Sequence, residues 1–252
     1  MANQNVWGWH TVGHLLKAAP ERVLGVQLQD DRDDARARDV LARIETAGVR
    51  ATRVPRAALD KLAPEASHQG IVAQIRQSVE RSETDLFDTV AERGDGLLLL
   101  VLDSVQDPHN LGACLRAADG AGAHGVVAPR RRAVGLTDTV RKVASGAAET
   151  VPFYRITNLA RTLGTLGDAG VWRVGTSDRA AESLYQSSLR GPLALVMGGE
   201  ARGMRRLTTE RCDHLVSLPM QGAVSSLNVS VATGIVLYEA VRQRIAPSAA
   251  NQ

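Results

Sequence analysis

Three stretches of this chain concentrate the side chains that could do chemistry. DSVQDPHNLGACLRAAD (103–119) carries Asn110 and Arg116, six residues apart, around Gly112. VMGGEARGM (196–204) sets one carboxylate, Glu200, among Gly198, Gly199 and Gly203, where missing side chains let backbone close on a ligand. MQGAVSSLNVSVATGIVLYEAV (220–241) begins as a loop with Ser225, Ser226, Asn228 and Ser230 and continues as a helix. Either Ser225 or Ser226 would cap that helix. Asn228 and Ser230 then need another reason, since such side chains compete with the backbone for hydrogen bonds in a first turn. Three glycines around one acid suit a loop that wraps a ligand with its amides, and the long Arg116 side chain can swing back toward its own loop. Each stretch also suits a structural role: a capped helix with a solvated arginine, a tight turn with an exposed acid, a generous N-cap.

Other chemistries lack their signatures. Neither GxGxxG nor GxxxxGK[ST] follows a predicted strand, which argues against a nicotinamide fingerprint and a P-loop. The Gly-rich first turn of an ordinary Rossmann-type methyltransferase is missing too. The 6 histidines show no metal-ligand spacing, so no metal is expected, and Ser226 has no GxSxG elbow. Cys114 and Cys212 form no CxxC pair and read as reduced thiols. With 30 basic against 27 acidic residues the net charge is +3, too mild to demand a nucleic-acid partner. Only Lys17, Lys61 and Lys142 are lysines, a bias that genomic base composition explains better than selection for phosphate-binding forks. No apolar run reaches bilayer length, and the N-terminus has no basic or apolar leader, so a cytoplasmic protein without membrane contact is expected.

Periodicity supplies the elements that position these stretches. A helix is predicted near 10–19, a strand at 23–29, and a helix at 34–47 with Val40, Leu41, Ile44 and Ala47 on one face. A strand at 49–55, a short helix at 56–62 and a strand at 70–75 complete a compact α/β domain over 1–76. Residues 77–96 are polar and weakly periodic and read as a linker with room for a short helix. The rhythm restarts over 97–252 with a buried strand at 97–102. Pro108 is expected to keep His109 and Asn110 out of the helix that follows at 111–121. Further strands are predicted at 125–129, 151–156, 171–175, 193–197 and 214–218. Helices are predicted near 138–148, 158–169, 204–211 and 227–244. Such alternation implies a mostly parallel sheet with helices on both faces. All three polar stretches then fall at carboxyl ends of strands, where open α/β sheets bind ligands.

NLGACLRAAD, LVMGGEARGM and LPMQGAVSSLNVSVATGIVLYEAV, in that order, resemble the three signature motifs of the SpoU-type (SPOUT) RNA 2'-O-methyltransferases, a likeness covering 97–246. GWHTVGHLL and HQGIVAQI resemble the ribosomal-protein-like RNA-binding domain of one subgroup, which methylates a guanosine ribose in the P loop of the 23S rRNA peptidyl-transferase centre. Ala201 departs from the pattern, since many members have glycine after the motif's glutamate.

The resemblance implies an α/β fold whose mostly parallel sheet ends in a C-terminal trefoil knot, although chains are as a rule unknotted. It also implies a homodimer and S-adenosylmethionine as methyl donor. Arg116 would carry the central role, oriented by Glu200, Ser226 and Asn228, with Asn110 positioning the reacting groups. Gly198, Leu218 and Leu227 would hold the cofactor, with Met220 and Gly203 nearby. An arginine stays protonated, its pKa being above ~12, so Arg116 reads better as a fork to the nucleotide's phosphate and developing oxyanion than as a base. Arg130, Arg131, Arg132, Arg141 and Lys142 would attract RNA, or form a solvated charge run. Phosphate contacts give affinity and leave selection to the N-terminal domain. The competing readings are a tRNA ribose methyltransferase of the same superfamily and an idle RNA-binding or ribosome-assembly factor. The compact N-terminal domain speaks against the first and the intact polar set against the second.

Overall fold

A computed structural model describes residues 3–64, 67–200 and 203–245. The chain divides into two compact units, Met1–Val79 and Glu80–Gln252.

The first unit runs β1 (Asn3–Trp7), α1 (Trp9–Ala18), β2 (Val23–Gln29), α2 (Ala35–Thr46), β3 (Ala51–Val54), α3 (Arg56–Leu62) and β4 (Ile71–Arg76). Its sheet has the order β1-β4-β2-β3, with β4 antiparallel to both neighbours and β3 parallel to β2. Asp34 starts α2 by accepting the amides of Arg36 and Ala37. That helix turns Ala37, Val40 and Ile44 into a core with Val12, Leu15, Val26, Ile71 and Ile75. Strand β1 has no counterpart in the sequence reading. It is an edge strand in which only Val6 is buried, so no apolar alternation marks it.

The second unit opens with α4 (Glu83–Arg93), β5 (Leu98–Asp103), α5 (Pro108–Gly120) and β6 (Gly125–Pro129). It continues through α6 (Asp138–Ala144), α7 (Ala147–Thr150), β7 (Phe153–Ile156), α8 (Leu159–Asp168), β8 (Trp172–Thr176) and β9 (Glu182–Ser183). It closes with β10 (Leu193–Gly198), α9 (Arg206–Thr209), β11 (His214–Ser217) and α10 (Val229–Ile245). Among the described residues these form one seven-stranded sheet, parallel throughout, in the order β7-β6-β5-β10-β8-β11-β9. Alternate residues of the apolar β5 feed opposite faces. Leu98, Leu100 and Leu102 pack with Leu115, Val236 and Leu237 on one side. Leu97, Leu99 and Val101 pack with Leu86, Leu159 and Leu163 on the other. From β5 the chain winds outward through β6 and β7, then crosses to β8, so the winding reverses beside β10. That reversal is where such sheets bind ligands.

Two expectations need correction. The segment 77–96 carries the helix it had room for, but from Glu80 onward it belongs to the second unit. Ser82 and Asp85 form a capping box at the start of α4, and Leu86 and Val90, one turn apart, are buried in the second unit's core. Two inward residues among charged ones leave little periodicity to read. Pro108 does not exclude His109 and Asn110 from the helix but begins it. Asp107 accepts the His109 amide, and a proline at the first helical position sacrifices only an N–H that has no intrahelical partner.

Candidate active site

The site is assembled from loops at the carboxyl ends of β5, β10, β8 and β11. Asp103 ends β5 fully buried and pairs in register with Gly198, which ends β10. Its carboxylate accepts the Arg205 backbone amide at 2.8 Å, the Arg205 Nε at 2.7 Å and the Ser104 hydroxyl at 3.0 Å. This clamp fixes the return limb of the loop after β10. Gly203 donates its amide to Gly199 O at 3.0 Å and closes the turn. A Cβ on Gly198 would run into the Gly203 carbonyl carbon and the Met204 nitrogen, and one on Gly199 into Ser104 O. These glycines therefore serve the close approach of the chain to itself, which in turn presents Glu200.

A directed amide relay joins the three polar stretches. Asn228 Nδ2 donates to Asn110 Oδ1 at 3.0 Å, and Asn110 Nδ2 donates to Glu200 Oε1 at 2.6 Å. Asn228 Oδ1 meanwhile accepts the Ser230 amide at 2.9 Å and the Ser230 hydroxyl at 2.6 Å. Asn228 thus caps α10 and feeds the relay with one side chain, and Ser230 helps hold its oxygen. The polar residues unexplained by capping alone are explained by this pair of duties. The last link ends on a carboxylate and is the charge-assisted one.

Beside the relay lies a cavity of about 640 Å³. All five residues expected to hold a cofactor line it: Gly198, Gly203, Leu218, Met220 and Leu227, joined by Glu200 and Ser226. Met197, Met204 and Val229 add apolar wall. Thr176 at the end of β8, with Ser177, Asp178 and Arg179 after it, also lines the cavity, and all four were missed in the sequence. The signal was available, because 171–175 was already a strand and its carboxyl end carries TSDR. Ala201 lies outside the described residues.

The remaining site residues divide. Arg116 is exposed and is not part of the relay; its Nη1 lies 3.5 Å from Ser145 Oγ, the one side-chain hydrogen bond found for it among the described residues. Arg130, Arg131, Arg132 and Lys142 are exposed. Arg141 is not available to RNA: it is buried and ion-paired with buried Glu149, a partner the α6–α7 turn brings to it. Burial pushes the Cys114 thiol up to about 11 and Cys212 up to about 12, so both stay protonated at neutral pH. Among the described residues no helix is long and apolar enough to cross a membrane.

Known proteins give this arrangement its class. Residues 97–238 match the SpoU rRNA Methylase family, and the chain belongs to it. Residues 5–80 match the RNA 2'-O ribose methyltransferase substrate binding domain. Within the family, the 23S rRNA (guanosine-2'-O-)-methyltransferase RlmB of Photobacterium profundum is 52% identical over 97% of this chain and 99% of its own. RlmB of Pectobacterium atrosepticum is 53% identical over 95% of this chain and 98% of its own. In fold, the chain is similar to the SpoU methyltransferase AviRb from Streptomyces viridochromogenes, solved in complex with AdoMet. The TM-score is 0.72 over 96% of this chain and 91% of that one, at 23% identity.

Proposed function

We propose that this protein transfers a methyl group from S-adenosylmethionine to the ribose 2'-OH of a guanosine in 23S rRNA, in the P loop of the peptidyl-transferase centre. The observation that carries the reading is the Asn228–Asn110–Glu200 relay at the edge of the cavity, in a chain near 50% identical to RlmB proteins over almost its whole length.

The cavity suits the cofactor. Its volume of about 640 Å³ lies in the range of small-molecule sites, and its wall combines apolar Leu218, Leu227 and Met197 with the carboxylates of Glu200 and Asp178. Apolar wall suits an adenine, and carboxylates suit a cationic ligand. Gly198, Leu218 and Leu227 would hold the cofactor, with Met220 and Gly203 beside them. Bound S-adenosylmethionine supplies the methyl group on a sulfonium centre.

The chain's own residues align and stabilise. Asn110 is held at both ends of its amide, so its position is set before substrate arrives. Ser226 offers a hydroxyl at the cavity wall. Arg116, with only a long contact to Ser145, has its fork available to clamp the nucleotide's phosphate and to face the forming 2'-oxyanion. The proton leaves to phosphate or water. Arg130, Arg131, Arg132 and Lys142 attract the RNA backbone, while the first unit selects the RNA.

A C-terminal trefoil knot and a cytoplasmic homodimer belong to the same reading. Support for the knot comes from β10, which inserts between β5 and β8 after both are laid down. Support for the dimer comes from Val231, Tyr238 and Ile245, exposed apolar residues seven apart along α10 and therefore on one stripe. Labelled S-adenosylmethionine incubated with undermodified 23S rRNA and, separately, with tRNA tests the reading. Label in the 23S rRNA alone is expected; label in tRNA alone would replace it with the tRNA enzyme.

A further inference from the structure

Beyond β6 the chain enters a basic loop, Arg130–Leu136, whose backbone is tied down from the inside. Arg155 on β7 is only 7% exposed. Its guanidinium donates to three carbonyls of this one loop: Val134 O at 2.8 Å, Arg130 O at 3.0 Å and Ala133 O at 3.2 Å. The loop's amides are held as well, Arg130 N to Ile156 O at 2.8 Å and Leu136 N to Glu80 Oε1 at 3.2 Å. Glu80 Oε2 also stands 3.7 Å from Arg155 Nε, and a Cβ at Gly135 would run into the Glu80 carboxylate. Arg132 takes a left-handed φ of 62°. Finally, Val134 N donates to Val105 O at 3.0 Å, which joins this loop to the β5–α5 loop leading to Asn110.

An ordinary surface loop satisfies its carbonyls with water, and burying a guanidinium carries a desolvation cost. Here that cost is met to give one loop a fixed shape. The same loop turns Arg130, Arg131 and Arg132 outward, all exposed, and among the described residues none of the three guanidinium groups is in a hydrogen bond or ion pair. Fixed backbone with unpaired forks is the arrangement that binds phosphate oxygens without first ordering the loop.

We propose that Arg155, together with Glu80, is a positioning residue that pre-forms the 130–132 loop as a clamp for RNA backbone phosphates beside the Asn110 loop. This rests on the RNA methyltransferase reading above. Its test is the salt dependence of binding to an undermodified 23S rRNA fragment. The proteins are wild type, Arg155→Lys, the triple variant Arg130→Ala/Arg131→Ala/Arg132→Ala, and the combination of all four changes. Removing three phosphate contacts should flatten the slope of log K against log salt by about 2, at roughly 0.7 per contact. Arg155→Lys should weaken RNA binding about tenfold, near 1.4 kcal/mol, while S-adenosylmethionine affinity stays within about twofold. In the triple background Arg155→Lys should add nothing, because the charges it positions are gone.

An unchanged slope in the triple variant, or effects of Arg155→Lys and the triple that multiply, would overturn the proposal. If Arg155→Lys fails to bind S-adenosylmethionine, Glu80→Gln replaces it in the cycle with the same two outcomes. A wild-type protein that leaves 23S rRNA unmethylated would instead contradict the function reading.

Discussion

Asn228 shows how one side chain can hold two contacts at once. Its oxygen caps α10 through Ser230, and its nitrogen donates into the relay to Asn110 and Glu200. Substitution can separate the two duties. Asn228→Asp keeps the capping oxygen but loses the donor to Asn110, so stability should hold while turnover falls on the order of tenfold. Asn228→Ala should lose the same turnover and, in addition, about 1 kcal/mol of stability, the usual scale for a lost N-cap. Chemical denaturation alongside single-turnover methylation distinguishes the pair; equal stability of the two variants would remove the cap from the account. At this scale the sequence displayed the polar residues but not what holds them. Arg141 reads from sequence as a surface charge, because only the tertiary turn between α6 and α7 delivers Glu149 to it. Arg116 was expected to be oriented by Glu200, Ser226 and Asn228, and in the free chain its neighbour is Ser145.

Elements convert such contacts into a cavity. Because the Gly198 Cβ position is taken by the loop's return limb, Gly198→Val must push Gly203 and Met204 outward and displace the cavity wall. S-adenosylmethionine affinity should drop at least about tenfold by calorimetry, a loss near 1.4 kcal/mol. Wild-type affinity in a folded variant would exclude this wall from the cofactor site.

A second contact staples β8 to β11. Arg173 donates its backbone N–H and its Nε to Asp213 Oδ2, each at 2.8 Å. Hydrogen bonding from the Arg173 side chain, the largest cause, holds the Asp213 carboxyl below its ordinary 3.8. With the folded value depressed, the unfolded chain binds the proton more readily. The staple's contribution is therefore present above about pH 4 and lost as pH falls through the folded value. Stability measured from pH 6 down to pH 2 should fall more steeply for wild type than for Asp213→Asn; parallel curves would count against the staple.

The most buried strand was the plainest to read, although β3, with no buried residue, was read as well. All six residues of β5 are buried, and its apolar run stands out, whereas β1 buries one residue and two-residue β9 offers no pattern. The β8 wall of the cavity went unread although TSDR stood at the carboxyl end of a predicted strand, because that position alone does not set it apart from the loops after other strands.

For the whole molecule, the division after Val79 sets the expected limits of truncation. A chain beginning at Glu80 keeps α4 and should fold and bind S-adenosylmethionine with near-native affinity, yet methylate 23S rRNA poorly. One beginning at Gly94 loses Leu86 and Val90 from the core and should be several kcal/mol less stable, since each buried aliphatic contributes roughly 2–5 kcal/mol. Denaturation midpoints of the two fragments check this; equal midpoints would return α4 to the status of a linker.

The central claim is methyl transfer to a guanosine ribose, and position-resolved mapping of the methyl group tests it most directly. Undermodified 23S rRNA treated with the protein and S-adenosylmethionine is subjected to limited alkaline hydrolysis, which a 2'-O-methyl group blocks at its own position. The account predicts one new hydrolysis-resistant guanosine in the P loop, lost with Arg116→Ala and little restored by Arg116→Lys, whose ammonium lacks the planar fork. A methyl group on a base, on another RNA, or undiminished in the Arg116 variants would contradict it.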